Sequence, residues 1–145
     1  MIGVEKGLES LKVWQKAMSF VEKLYQEVFP LLPENEKYAL TSQLRRALIS
    51  IPANIAEGHG RYYYREGVRF CLIARGSIEE VRTLLHLAQR FGYLEIDDLQ
   101  KHITNLEEIR RMLNGYIGYL QDNLEKDNFV HKIKDETDSY EPYDL

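Results

Sequence analysis

Five polar side chains recur at helical spacing between residues 43 and 57, and their types suit directional hydrogen bonding. They are Gln43, Arg46, Ser50, Asn54 and Glu57. At about 100° per residue they share one side of a helix, next to a stripe of leucine and isoleucine residues. Guanidinium, hydroxyl, amide and carboxylate groups donate or accept hydrogen bonds in defined directions. The pattern predicts a helix that closes a core with one face and offers the other for recognition or assembly.

Carboxylates within this file and in the next helical segment can neutralise its arginine. A partly buried arginine requires such a partner, because an unpaired buried charge is costly. We therefore predict a polar network, either between helices or between subunits, that consists of Arg46, Ser50, Asn54, Glu57 and Glu80.

Arginines and tyrosines alternate directly after this stretch. Arg65 and Arg69 lie one helical turn apart, Arg61 precedes them, and Tyr62 and Tyr63 lie between. Guanidinium groups neutralise phosphates and aromatic rings stack on unpaired bases, each stack contributing about 1–3 kcal/mol. The segment is therefore a candidate binding surface for structured or single-stranded RNA. In the alternative interpretation, the tyrosines pack between helices or subunits and the arginines form the solvated rim.

Length and composition predict one globular domain. The 145 residues are enough to bury a core without disulfides, and Cys71 is the single cysteine, which fits a reducing compartment. The net charge is −4, yet residues 37–90 carry nine basic and four acidic side chains. That basic middle suits a local anion site, or arginines paired with acids on neighbouring turns. Neither a secretory signal nor an apolar run of roughly 20 residues is present, so we expect a cytoplasmic protein without a membrane partner.

Spacing argues against the enzymes that helical bundles host. A di-iron bundle needs Glu-x-x-His pairs, and none of the four histidines has a glutamate three residues before it. Arg82 and His86 resemble the Arg–His pair of helical ribonucleases of the HEPN type, but their separation is too short for that motif. Cys71 lies beside apolar helix positions, which predicts an inert packing thiol. We predict no catalytic residues, no metal and no cofactor.

Apolar periodicity predicts four helices, and no strand signal is present. Helix one ends at Pro30 and Pro33, and helix two begins near Pro33 and stops at Gly58, with a bend or local break at Pro52. Helix one carries two apolar files, one with Leu11, Trp14, Met18, Val21, Tyr25 and Val28, the other with Val13, Ala17, Phe20 and Leu24. This width exceeds what one small core needs, which indicates self-association through residues 62–64 or the outer face of helix one.

Helix three covers about residues 64–91, and helix four opens at Asp97 and Asp98. Within helix three, Gly76 and Ser77 predict the close approach of another helix, because small residues otherwise cost helix propensity. Short connections between long helices predict an all-α fold, an antiparallel up-down-up-down four-helix bundle kinked at Pro52.

The bundle domain is predicted to span residues 8–126. Residues 127–145 are acidic and lack a sustained period, which predicts a mobile tail. In the alternative, Phe129, Val130 and Ile133 extend helix four.

Three separated blocks resemble one known family. They are LKVWQKAMSFVEKLY, LTSQLRRALISIPANIAEGHGR and RFCLIARGSIEEV, within a resemblance that spans about residues 8–124. The family is the four-helix-bundle family named for the 23S ribosomal RNA intervening-sequence protein. The resemblance implies a cytosolic bacterial bundle that forms ring-like homopentamers, and a biochemical activity that is poorly defined. Some members of the family are encoded within intervening sequences of ribosomal RNA genes.

A more distant relative of similar architecture is the accessory subunit of diversity-generating retroelement reverse transcriptases. That relative binds nucleic acid and the polymerase through a basic surface of its ring. This chain lacks the strongly basic balance of the relative, so a nucleic-acid role is an analogy of fold. Two classes of function follow, an oligomeric assembly module with a protein partner and a nucleic-acid-binding protein.

Overall fold

The computed structural model describes residues 7–61 and 63–134, with side chains up to residue 125. Within this part of the chain lie four α-helices, which are α1 (Lys12–Glu27), α2 (Leu40–His59), α3 (Tyr64–Arg90) and α4 (Ile96–Lys134). Single 3-10 turns are found at Leu8–Ser10, Phe29–Leu31 and Glu34–Glu36. The described residues contain no strand, and the predicted all-α class is confirmed.

Side-chain contacts between helices give their relative directions. Arg75 of α3 donates to Asn114 of α4, and two turns later Arg82 bonds Glu107. The partner's number falls as the number along α3 rises, so α3 and α4 are antiparallel. The same relation holds for α2 with α3 and for α1 with α4. The predicted up-down-up-down order is confirmed.

All four helices contribute to one core. The buried side of α1 consists of Val13, Ala17, Phe20 and Leu24. This is the second of the two predicted files, whereas Met18 and Tyr25 of the first file are exposed. Since full burial of a large apolar side chain stabilises a fold by roughly 1.5–3 kcal/mol, the inner file holds α1 in the bundle and the outer one leaves apolar surface in contact with water.

Helix α2 begins later than the proline signal indicates. Pro33 has extended backbone angles, residues 34–36 form a single 3-10 turn, and Ala39 has non-helical angles. Lys37, Tyr38 and Ala39 are exposed, and Leu40 is the first buried residue. Because helices in proteins are stabilised mostly by packing of an apolar face, the regular helix starts where that face starts. The prediction of a start near Pro33 is therefore wrong.

The predictions made from two glycines of α2 and α3, Gly58 and Gly76, also differ from the structure. Helix α2 continues without interruption through Pro52 and past Gly58 to His59, so Gly58 is not the helix stop. Gly76 is exposed, and a Cβ atom built on it would have no neighbour within 4 Å. The predicted close approach at Gly76 is wrong, whereas Ser77 does contact α2.

Helix α4 runs beyond the predicted end of the bundle. It continues to Lys134, which agrees with the alternative in which residues 129–133 extend helix four. The remainder of the predicted acidic tail, residues 135–145, lies outside the described residues.

Candidate functional site

The polar file of α2 meets α3 through a short chain of hydrogen bonds. The Ser50 and Ser77 hydroxyls are 2.8 Å apart, and Asn54 Nδ2 donates to Ser50 Oγ (2.8 Å) and to the Ser50 carbonyl (2.9 Å). Ser77 Oγ donates to the carbonyl of Ile73 (3.2 Å). Because the Ser77 proton is used in that bond, Ser50 is the donor between the two hydroxyls. This ordered chain fixes the register of α2 against α3.

The other members of the predicted network lie outside this chain. Arg46 and Glu80 are exposed, and among the described residues neither has an ion-pair partner within 4 Å. Glu57 accepts a bond of 2.5 Å from Arg61 Nη2. The structure thus brings together Ser50, Asn54 and the unpredicted member Ser77. Arg46 and Glu80 lie on the surface of the bundle.

Close backbone packing sets the position of the α2–α3 connection. A Cβ atom at Gly58 would lie 3.0 Å from the Gly67 carbonyl oxygen and 3.0 Å from Phe70 Cβ. A side chain at this position would require the Gly67 carbonyl or Phe70 to shift by a few tenths of an ångström. The close approach brings Phe70 of α3 beside Arg61, which follows α2.

Two of the predicted arginines, Arg61 and Arg69, lie beside the Phe70 ring. The Arg61 and Arg69 guanidinium carbons are 4.9 and 5.7 Å from the centre of the Phe70 ring. Arg69 also lies 3.9 Å from a Glu66 carboxylate oxygen.

Tyr63 and its neighbours complete this end of the bundle. Tyr63 is 67% exposed, Arg65 is half-buried, and both make contacts within the protein. Tyr62 lies outside the described residues. The cluster is therefore an open aromatic surface whose two best-defined cations, Arg61 and Arg69, already have carboxylate partners.

A second surface lies where α1 meets α2, and it is apolar. Met18, Tyr25 and Ile49 are 37, 39 and 45% exposed. Partly buried Trp14 and Val21 occupy the same side of α1. We call this set of five residues the α1–α2 apolar face.

Arg45 joins the two helices at this face. Its guanidinium lies 5.8 Å from the Tyr25 ring centre and 5.2 Å from that of Phe29. Because Ile49 is one turn after Arg45, it lies beside the exposed stripe of α1. The sequence indicated the α1 part of this face but not the contribution of α2.

The opposite side of α1 is charged. Lys16 pairs with Glu108 of α4 at 3.1 Å, and Glu27 pairs with Lys101 at 3.1 Å. Ion pairs therefore cover the α1–α4 side, while the side towards α2 offers hydrocarbon to water.

Arg82 and Cys71, which were considered for catalysis, have structural roles. Arg82 binds Glu79 and Glu107 instead of His86, which is exposed. Cys71 is fully buried, and burial raises the pKa of its thiol to about 12, as expected of a packing thiol. The described residues contain no group of three or more potential metal ligands.

One buried polar residue was missed by the sequence analysis. His102 of α4 is 1% exposed and occupies a core position between Leu99 and Leu106. The spacing of these three residues, three and then four, is the signal that places His102 in the core, although a histidine is not an apolar residue.

Comparison with known proteins agrees with this architecture. The model of the 23S rRNA-intervening sequence protein family matches residues 9–115. A crystal structure from Bacteroides thetaiotaomicron, of a protein with unknown function from the S23 ribosomal protein family, is similar with a TM-score of 0.66 and 23% identity. The match covers 72% of this chain and 97% of that one.

The comparison with curated proteins gave no match. Within the described residues, no helix has the length and apolar character required to span a membrane. Since the family model covers well over half of the sequence, the chain belongs to the 23S rRNA-intervening sequence protein family.

Proposed function

We propose that this protein is a non-enzymatic assembly module that forms a homo-oligomer through the α1–α2 apolar face. One observation carries the proposal, which is the exposure of the large apolar side chains Met18, Tyr25 and Ile49. Met18 and Tyr25 share one side of α1 by helical spacing, and Arg45, one turn before Ile49, lies over the Tyr25 ring. Contiguous apolar surface on a folded protein marks an interaction site more often than single exposed residues do. The two other sides described above, at α1–α4 and α3–α4, carry ion pairs instead.

A ring is the form of assembly that we expect. In a ring each subunit contributes two different surfaces, and the assembly closes when the rotation between neighbours allows it. The α1–α2 apolar face supplies one surface, and the exposed Arg46 and Glu80 on the α2–α3 side supply polar groups for a second. The family resemblance favours five subunits.

A charged side chain in the apolar face tests this proposal. Met18→Lys places an ammonium group in the proposed interface, where it would be desolvated without a partner. We expect this variant to be a monomer in size-exclusion chromatography with light scattering, while the wild type is an oligomer. Ser19→Lys is the control, because it adds the same group at the adjacent exposed position of α1. Equal masses for the wild type and both variants would contradict the proposal.

Nucleic-acid binding is the second candidate function. The exposure of Tyr63, and the Arg61 and Arg69 guanidinium groups against the Phe70 ring in the same segment, favour it. A single-stranded RNA could stack on the tyrosine while its phosphates replace Glu57 and Glu66 as partners of the arginines. In the alternative role, a nucleic-acid-binding accessory subunit of a reverse-transcriptase system, we expect the same surface to be used.

Salt dependence tests the second candidate with a labelled single-stranded RNA oligonucleotide. Changing Arg61, Arg65 and Arg69 together to glutamine should reduce the slope of log affinity against log salt by about two, at roughly 0.7 per phosphate contact. Glu57→Gln with Glu66→Gln should tighten binding, because the arginines lose their competing carboxylates. An unchanged slope and unchanged affinity in the two variants would exclude this surface as an RNA site.

A further inference from the structure

The core between α1 and α4 contains a titratable side chain that takes part in neither of the two proposed functions. His102 is 1% exposed, and its Nδ1 atom is buried without a hydrogen-bond partner. A neutral imidazole has one bare nitrogen and one N–H, so a lone pair on buried Nδ1 is tolerated. The imidazolium form carries a proton on both nitrogens. Protonation therefore places a charged N–H donor in a position that offers no acceptor.

Charged groups around the imidazole do not compensate for the free-energy cost of a buried imidazolium without an acceptor. Glu27 and Lys23 of α1 and Lys101 and Asp98 of α4 lie near it. Glu27 is held by two ammonium groups, Lys101 at 3.1 Å and Lys23 at 3.9 Å, so its attraction for an imidazolium is largely offset. Burial is the dominant influence and lowers the pKa of His102 below its ordinary value of 6.5.

We propose that His102 is an acid-sensitive lock between α1 and α4, which holds α1 in the bundle while the imidazole is neutral and releases it on protonation. The position of His102 in the fold explains why its protonation would affect α1. The histidine lies at the contact of α4 with the end of α1, beside the Glu27–Lys101 pair that joins the two helices. Because α1 carries Met18 and Tyr25, its release would also dissociate the oligomer, a consequence that rests on the proposed assembly function.

The direction of the pH effect follows from linkage. In the unfolded chain His102 titrates near its ordinary value of 6.5, and in the folded chain only at lower pH. The stabilising contribution of the neutral imidazole is complete above pH 6.5 and is lost as the pH falls towards the folded-state value. Over that window the folding equilibrium constant falls by up to about tenfold per pH unit. Glu27 does not interfere, because its pKa is lowered from 4.5 by Lys101.

Urea unfolding at pH 7.5, 6.5 and 5.5 tests the lock in the wild type, His102→Gln and His86→Gln. We expect the wild type and the exposed-histidine control His86→Gln to lose stability together on acidification, by up to about fivefold in the unfolding equilibrium constant between pH 6.5 and 5.5. His102→Gln should lose much less. Parallel losses in all three proteins would overturn the proposal. His102→Leu replaces His102→Gln if the latter does not fold, with the same expected outcome.

Hydrogen exchange separates the lock from the assembly function. After correction for intrinsic rates, amides of α1 should exchange faster at pH 5.5 than at pH 7.5 relative to those of α3, and this difference should vanish in His102→Gln. If the amides of α1 in His102→Gln still exchange faster at pH 5.5 than at pH 7.5 relative to those of α3, the result would contradict the lock. Light scattering of the same samples reports assembly independently. A protein that is monomeric at both pH values would refute the assembly function, and the exchange of its α1 amides would still show whether the lock exists.

Discussion

Small residues decide how closely α2 and α3 approach, and the sequence pattern assigned them only in part. Ser77 was correctly expected at a close contact, where it bonds Ser50. Gly76 precedes it by one residue, and the resulting rotation of about 100° points it into solvent. Gly58 was interpreted as a helix stop because glycine often ends helices, yet it lies within α2 against Gly67. Composition alone does not distinguish a stopping glycine from a packing glycine.

A matched pair of alanine variants tests these assignments. Gly58→Ala should lower the free energy of unfolding by about 1–2 kcal/mol, since its Cβ would press on the Gly67 carbonyl and on Phe70. Gly76→Ala should raise the free energy of unfolding by about 0.5–1 kcal/mol, because alanine is the better helix former and meets nothing. Urea denaturation followed by circular dichroism measures both. Equal effects at the two positions would show that the close approach at Gly58 does not constrain the fold.

At the scale of helices, apolar periodicity predicts the helical segments whose apolar faces pack in the core. It does not predict where α2 starts or that His102 is buried. The amphipathic stretches of all four helices were found, and so was the polar file of α2, because both follow the helical repeat. The start of α2 was misplaced because Pro33 and its acidic neighbours satisfy the local rules for a helix start while no apolar face yet exists there. His102 was missed for the opposite reason, as a titratable residue occupies a core position. Burial is a property of the assembled bundle, which local patterns report only indirectly.

Arg82 is the main polar link between α3 and α4. It binds Glu79 on its own helix and Glu107 on α4, and Arg110 lies 3.8 and 3.5 Å from the same two carboxylates. We expect Arg82→Gln to lower the free energy of unfolding by about 1 kcal/mol at low salt and by less at high salt. Arg69→Gln is the control, because its pair with Glu66 is more exposed and longer and should contribute little.

The pH dependence of Arg82→Gln adds a second criterion. The hydrogen bond from Arg82 holds the pKa of Glu107 below its ordinary value of 4.5. The stabilisation is therefore present above pH 4.5 and is lost as the pH falls through the folded-state value. Unfolding curves of the wild type and Arg82→Gln should converge in acid. Equal stability at neutral pH and low salt would show that the network is only a surface arrangement.

The whole molecule presents chemically different sides to its surroundings. An apolar face lies at α1–α2, ion pairs lie at α1–α4 and α3–α4, and Arg61 and Arg69 lie against the Phe70 ring at one end. The sequence predicted the outer stripe of α1 and the arginine and tyrosine segment as candidate surfaces. The Glu57–Arg61 and Glu66–Arg69 pairs follow the i,i+4 and i,i+3 spacing, so they agree with the alternative in which the arginines pair with acids on neighbouring turns. That pairing is why we place assembly ahead of RNA binding.

Sedimentation velocity of the unmodified chain over about a hundredfold range of concentration tests the central claim most directly, because self-association is governed by mass action. If the α1–α2 apolar face is buried between copies, the protein should sediment as a defined oligomer, five-fold according to the family resemblance. Any dissociation should appear only at the lowest concentrations. A single monomeric species at every concentration would contradict the account.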